Sequence, residues 1–484
     1  LQGLDFRIFD TENPEIVQKL ISAADYPILV INDTETGFPT SVLPKIPLMC
    51  LSACDDKAYY RAFAKGIVRD AQKAGYNGTW GPAIDILRMD GPERVSRIAS
   101  DDPQKVAEAA EEIAGVFKQN HYLSTGKHYP GGENCPFDTH MTEGVCDLTE
   151  EEIVKFDLMP YLHLMKKDLL PAIMTQHIVY KKIDPKYPAS LSKKVIDIIR
   201  NLGFDGVVFT DSFAMMGILQ KYGEDKIYGM AVHAGNDIIL PNYRTSVKEA
   251  FNMLVQNYKD GAFTEERLNE AVLRVLRVQA FVGEKPKNPT EFTKEDEEML
   301  HNAARDCITA VTDEGVPAYL TGADKDRLFV VLTPNTTEDD RIQAEISMDR
   351  WYFPHKIAEK IKQTFPESGV EFLPEFANAH DNERVLNAAT KYKEVVFVTF
   401  CATTCYLGAD CLTRRTEAVI NALIQSDKVS CVLHFGNPFA LKTINHVKRK
   451  IFGYIISESQ MHAIDVLKGK IEAKGKLPFR IEFK

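Results

Sequence analysis

Over about its first 280 residues the chain alternates short apolar runs with amphipathic stretches, a pattern that restricts it to repeated βα units around a parallel sheet. Strands are expected at 26–32, 79–86, 124–129, 170–176, 206–210 and 236–240, with helices at 57–73, 103–120, 150–167, 192–201, 246–258 and 265–281. Capping signals such as Ser100-Asp101-Asp102-Pro103 fit several of the helix starts. Polar residues follow each strand run: Asp33 and Glu35 the first, Asp85 and Arg88 the second, Lys127 and His128 the third, His177 the fourth and Asp211 the fifth. Asp237 lies within the sixth. A closed parallel barrel would bring all these side chains to one rim and one pocket, whereas a doubly wound open sheet would gather only some of them.

Two cores are expected of 484 residues that are 44% apolar and 26% charged. Residues 1–283 read as repeated βα units, and 284–305, rich in Pro, Lys and Glu, as a linker or strap. Residues 306–484 read as a second, smaller α/β segment with strands at 328–332, 394–400, 429–435 and 451–456. Its expected helices are 339–346, 384–392 and 415–426, and its last ten residues read as an edge strand. A net charge of −11 argues against a nucleic-acid or anionic-membrane surface, and no apolar run reaches the roughly 20 residues of a membrane span. No secretory signal is legible at Leu1, and nine cysteines cannot all pair within one molecule, so a reducing cytoplasmic compartment is expected; a signal already removed would look the same. Cys401, Cys405 and Cys411 lack the short spacing of a zinc knuckle, and neither a metal nor an organic cofactor is expected. Oligomeric state is not legible.

Gly126 to His140 is the richest chemical stretch: Lys127-His128 after an apolar run, a Pro-Gly-Gly turn, then Asp138 and His140 two positions apart. An Asp that orients a His makes a proton-transfer device, although Asp-x-His also serves as a simple loop bond or helix cap. Lys127 and His128 can equally form a surface pair or a core-facing salt bridge. Asp211 follows the apolar Gly-Val-Val-Phe-Thr, so its carboxylate emerges at a strand end. Alone it reads as an N-cap for the segment that follows; among the other rim residues it reads as a carboxylate able to attack an anomeric carbon. The proton donor could then be His140, with Asp138 fixing its tautomer.

Lys-His-Tyr-Pro-Gly at 127–131, with Asp138 and His140 at matching spacing, resembles the loop of glycoside hydrolase family 3 β-N-acetylglucosaminidases. Gly-Val-Val-Phe-Thr-Asp-Ser-Phe-Ala-Met at 206–215 is similar to the same family's nucleophile strand. Gly81-Pro82-Ala83-Ile84-Asp85, Arg97, Met174-Thr175-Gln176-His177, Pro188 to Ser192, Ala234 to Asp237, Phe435 to Pro438 and Gly475 to Pro478 also resemble family segments in order and spacing.

The resemblance implies a (β/α)8 TIM-type barrel over residues 1–283 followed by a smaller C-terminal α/β (αβα) sandwich domain over 306–484, with Asp211 as nucleophile, His140 as general acid/base and Asp138 as its partner. It also implies Asp85, Arg97, Lys127, His128 and His177 as binders of the sugar in the cleaved subsite. The expected reaction is a double displacement on a small glycan ending in β-linked N-acetylglucosamine. Phosphate is an alternative acceptor, because a His acid/base repels it less than a carboxylate would. A sugar-binding protein that has lost turnover is a third reading. The chain departs from the family pattern at Gly132-Glu133 and Ser212, lacks the Arg of the early loop after Asp33-Thr34-Glu35, and leaves Glu133 as a competing acid.

Overall fold

Parallel pairing of short, fully buried strands organises the N-terminal half. The computed structural model describes residues 14–88, 95–132, 135–334, 352–401, 411–454 and 457–484. The chain is α/β and forms two compact units, one of Leu1–Leu43, Tyr60–Met89 and Ile98–Glu297, the other of Pro44–Tyr59, Asp90–Arg97 and Glu298–Lys484.

In the first unit β1 (Ile31–Asn32) pairs in parallel with β2 (Gly78–Thr79). The chain beyond β2 continues beside the third strand run, through bridges Gly78 to Leu123 and Ala83 to Lys127. There β3 (Gly126–Tyr129) pairs with β5 (Ala172–Thr175), and β5 with β7 (Val207–Thr210); Phe209 bridges in parallel to Ile238. All residues of β3, β5 and β7 are buried, as expected of parallel strands covered on both faces. Beneath them Trp80, Leu123, Met174, Phe209 and Leu240 form one apolar cluster with Leu29, Ile31 and Ile238. Because these neighbours run in one direction, Asp33, Asp85, His128, His177 and Asp211 all follow the same end of the sheet. A second parallel pair, β4 (Gly144–Cys146) with β6 (Ile178–Tyr180), was not foreseen; each strand is only three residues long.

Several expected elements are shorter or broken, for identifiable reasons. The run at 26–32 yields only Ile31–Asn32 because Pro27 has no N–H to give, and Pro82 likewise interrupts the run at 79–86. The helix expected at 150–167 divides into Glu150–Glu152, a π-turn at Ile153–Asp157 and Met159–Lys166, where Pro160 removes a donor. The strap at 284–305 is irregular only to Thr293, from which Lys294–Asp306 is helical. Thr293 Oγ1 accepts from the Asp296 amide at 3.2 Å while Asp296 accepts from the Thr293 amide at 2.8 Å. Leu300, Ala303, Ala304 and Cys307 supply the buried stripe that its polar composition hid.

The second unit has one sheet in the order β10-β9-β11-β12-β13-β8: β8 (Thr309–Thr312), β9 (Arg327–Thr333), β10 (Gly369–Pro374), β11 (Glu394–Cys401), β12 (Val429–Gly436) and β13 (Arg449–Phe452). Every pairing is parallel except that of β13 with β8. The C-terminal segment forms no edge strand: only Gly475 bridges, to Thr309, and Pro478 cannot donate. The expected helix at 339–346, Cys405 and the end of the expected strand at 451–456 lie outside the described residues.

Candidate active site

The loop after β3 is built around Asp85. Its buried carboxylate accepts from the His128 amide at 3.0 Å, pairs with His128 Nδ1 at 2.7 Å and accepts from the Gly132 amide. A Cβ at position 132 would lie 2.7 Å from both Asp85 oxygens, so in this structure the close approach of the backbone to Asp85 needs the glycine. Gln176 Nε2 and Tyr180 Oη both donate to the Gly131 carbonyl and fix the Pro-Gly-Gly turn from the neighbouring β5–β6 segment. Lys127 is buried, and its ammonium meets Asp33 at 2.7 Å and Glu35 at 2.6 Å, so the two acidic residues after β1 serve this lysine.

Farther along the same loop, Asp138 Oδ1 accepts from the His140 amide at 3.0 Å and pairs with His140 Nδ1 at 2.6 Å. This bond engages Nδ1 and orients the ring. Asp211 hangs from the end of β7, where its amide donates to the Thr175 carbonyl at 2.8 Å. It is not a helix cap: its carboxylate accepts from the Ser212 amide at 2.7 Å, and the next helix, Met216–Leu219, starts from Met215. Burial pushes the Asp211 carboxyl up, but the imidazoles of His128, His177 and His140 and the Ser212 amide outweigh it and hold it below the usual carboxylate range.

Two backbone hydrogen bonds tie the His140 loop to the Asp211 segment: Met216 N to the His140 carbonyl at 3.0 Å and Gly217 N to the Thr139 carbonyl at 3.2 Å. A Cβ at Gly217 would lie 2.4 Å from the Thr142 carbonyl and 2.6 Å from that of Thr139. Sequence reasoning missed this junction; its only trace is Gly217 itself, which carries no motif.

His177 uses both ring nitrogens within the protein. Nε2 lies 3.0 Å from the Ser212 carbonyl, which can only accept, so Nε2 carries the proton and Nδ1 accepts from Ser190 Oγ at 2.8 Å. Burial lowers its pKa against the pull of Asp211, and the ring stacks on Phe213. His177 therefore shapes the backbone beside Asp211.

Two residues expected at the common pocket are not there. Asp237 is held by Arg267 at 2.6 Å, Arg200 at 3.0 Å and Arg274 at 3.4 Å, and accepts from the Val208 amide at the opposite end of β7 from Asp211. Arg88 forms a two-point pair with buried Asp157, at 2.9 and 2.7 Å. Both are structural ion pairs, which spacing alone cannot separate from rim residues. Arg97 sits in the 3-10 turn Val95–Arg97 of the second unit, largely buried, and Glu133 lies outside the described residues. Among the described residues no group of three His, Cys, Asp or Glu side chains is disposed to hold a metal, and no helix is long and apolar enough to cross a membrane.

Residues 11–278 match the Glycosyl hydrolase family 3 N terminal domain. An uncharacterised secreted glycosyl hydrolase of Arthroderma benhamiae is 31% identical over 272 residues, which make up 53% of this chain and 75% of that one. A β-N-acetylglucosaminidase/β-glucosidase of Cellulomonas fimi is 26% identical over 290 residues, 55% of this chain, and the chain spans half of that protein's length. The solved structure of a glycoside hydrolase family 3 β-N-acetylglucosaminidase from Paenibacillus superposes with a TM-score of 0.79 at 23% identity, covering 96% of this chain and 90% of that one. By the match over more than half its length, the chain belongs to glycosyl hydrolase family 3 and is a glycosidase.

Proposed function

We propose that this glycosidase is a retaining exo-β-N-acetylglucosaminidase that releases terminal β-linked N-acetylglucosamine from small glycans. Asp211 attacks the anomeric carbon and forms a glycosyl-enzyme while His140, oriented by Asp138, gives its Nε2 proton to the departing oxygen. His140 then takes a proton from the water that releases the sugar. The observation that carries this reading is the junction at 3.0 and 3.2 Å between the His140 loop and the segment following Asp211, supported by the imidazoles and the Ser212 amide that hold the pKa of that carboxyl down. Asp85, Arg97, Lys127, His128 and His177 are the proposed sugar binders, Asp85 also holding the loop that bears His128 and His177 the backbone beside Asp211. The barrel over residues 1–283, the strap at 284–305 and the sandwich over 306–484 belong to the same proposal, supported by the parallel order from β1 to Ile238 over one apolar cluster. Residence in the reducing cytoplasm is also proposed, from cysteine usage.

Water is the favoured acceptor. Lys127, the lysine of this site among the described side chains, already meets Asp33 at 2.7 Å and Glu35 at 2.6 Å, so its charge is offset before a phosphate dianion could use it. The deciding experiment follows an aryl β-N-acetylglucosaminide with wild type and Asp211→Ala, with and without phosphate. Free N-acetylglucosamine from wild type in either buffer, and its loss in the variant, is the expected result. A sugar 1-phosphate as the main product would replace hydrolysis by phosphorolysis, and tight binding without turnover would make the protein a binder.

A further inference from the structure

Three large apolar side chains are left exposed at the site's acid/base end. Phe137 is 55% exposed, Met141 47% and Met216 47%. Their backbone positions adjoin His140: Phe137 precedes Asp138, Met141 follows His140, and the Met216 amide donates to the His140 carbonyl at 3.0 Å. The polar surroundings are engaged elsewhere. Gln220 Nε2 donates to the Met141 carbonyl at 3.0 Å, and Lys221 pairs with Glu143 at 2.9 Å. Single exposed apolar residues are ordinary, but three gathered around one catalytic turn and rimmed by satisfied polar groups have the character of a ligand surface.

Resting on the reading of His140 as the proton donor, we propose that Phe137, Met141 and Met216 form an apolar aglycone subsite. The leaving group is bonded to the oxygen that receives the proton, so it must lie against the residues flanking His140. Its occupant is an alkyl or aromatic aglycone, or the apolar face of a sugar ring. Two flexible thioethers beside one aromatic ring suit variable partners better than a single fixed shape.

The test compares hexyl and methyl β-N-acetylglucosaminides, whose leaving groups differ little in acidity but much in apolar area. Wild type is expected to favour the hexyl glycoside in kcat/KM by about tenfold, from burial of a few methylenes. In the Phe137→Ser/Met141→Ser/Met216→Ser variant that ratio falls to within about twofold, and each single substitution moves it part of the way. Equal kcat/KM for the two glycosides in wild type, or an unchanged ratio in the triple variant, overturns the proposal. Calorimetric binding of the hexyl and methyl 1-thio-glycosides gives a second readout that needs no turnover: tighter hexyl binding lost in the variant supports the subsite, and equal binding overturns it. If neither oxygen glycoside is cleaved while the thio-glycoside difference persists, the hydrolytic reading fails and the apolar subsite stands.

Discussion

Asp211 and His140 reach one site because each is the polar residue at which a buried or tethered segment ends, and the chemistry follows from what surrounds them. Replacing Asp211 by Asn removes the attacking oxygen without altering size, and kcat on an aryl β-N-acetylglucosaminide is expected to fall by about 10^4-fold or more. Burial raises the Asp211 pKa and the imidazoles lower it, His128 first among them. A nucleophilic carboxylate must be ionised, so under the proposed mechanism the activity carried by Asp211 is present above its pKa and lost as pH falls through it. Removing the imidazole with His128→Asn takes away the largest of the influences that lower the Asp211 pKa, and the acid limb of the kcat/KM profile is expected to move to higher pH; a limb that stays in place would show that His128 does not act on Asp211. The placement of Asp85, Lys127, His128 and Asp211 was legible because each stood at or just after an apolar strand run. Asp237 and Arg88 stood at similar positions and turned out to be structural, since a sequence gives the place of a charge and not its partner. The full engagement of Asp85 and His177 in hydrogen bonds to loops was equally hidden, because both residue types bind ligands and backbone with the same atoms.

At the scale of elements, the strand order positions the site and a short junction sets its spacing. The helix Met216–Leu219 accommodates the His140 loop only because Gly217 has no Cβ, which would otherwise meet two carbonyl oxygens. Gly217→Ala should displace that loop by a fraction of an ångström or more, and misplacement of about 1 Å can cost about 10^2-fold. The expected effect is a loss of about 10- to 100-fold in kcat on glycosides with poor leaving groups and a smaller loss on those with good ones, the difference that marks a misplaced proton donor. Equal losses on both would assign Gly217 a general structural role. Apolar runs revealed the strands of the parallel sheet, because burial on both faces leaves a continuous signal. Elements fixed by proline, by a π-turn or by a capping box inside polar sequence were misjudged, because their determinants are single donors and acceptors.

Across the whole molecule the two units carry separate sources of stability. In the second unit His434 is buried, with Nε2 donating to the Asn437 carbonyl at 2.8 Å and Nδ1 2.8 Å from Thr399 Oγ1, and burial pushes its pKa down to about 4. The unfolded chain binds a proton at this residue near its ordinary pKa of about 6.5 while the folded unit does not, so stability falls as pH drops from 6.5 toward 4, by about 3 kcal/mol from this group. Urea unfolding of the second unit should follow that slope, and His434→Gln should flatten it; an unchanged slope would exclude His434 as its source. The α/β character of both halves was plain in the sequence, whereas the strap at 284–305 concealed a helix whose buried stripe is only four residues. The account's central claim is that Asp211 bonds covalently to the sugar while His140 serves the same glycosidic oxygen. A fluorinated N-acetylglucosaminyl fluoride that forms the glycosyl-enzyme but releases it slowly tests this directly, by mass spectrometry of the digested protein. The account predicts one sugar per chain, on the peptide carrying Asp211; a label on another residue, or turnover of the reagent with no label at all, would contradict it.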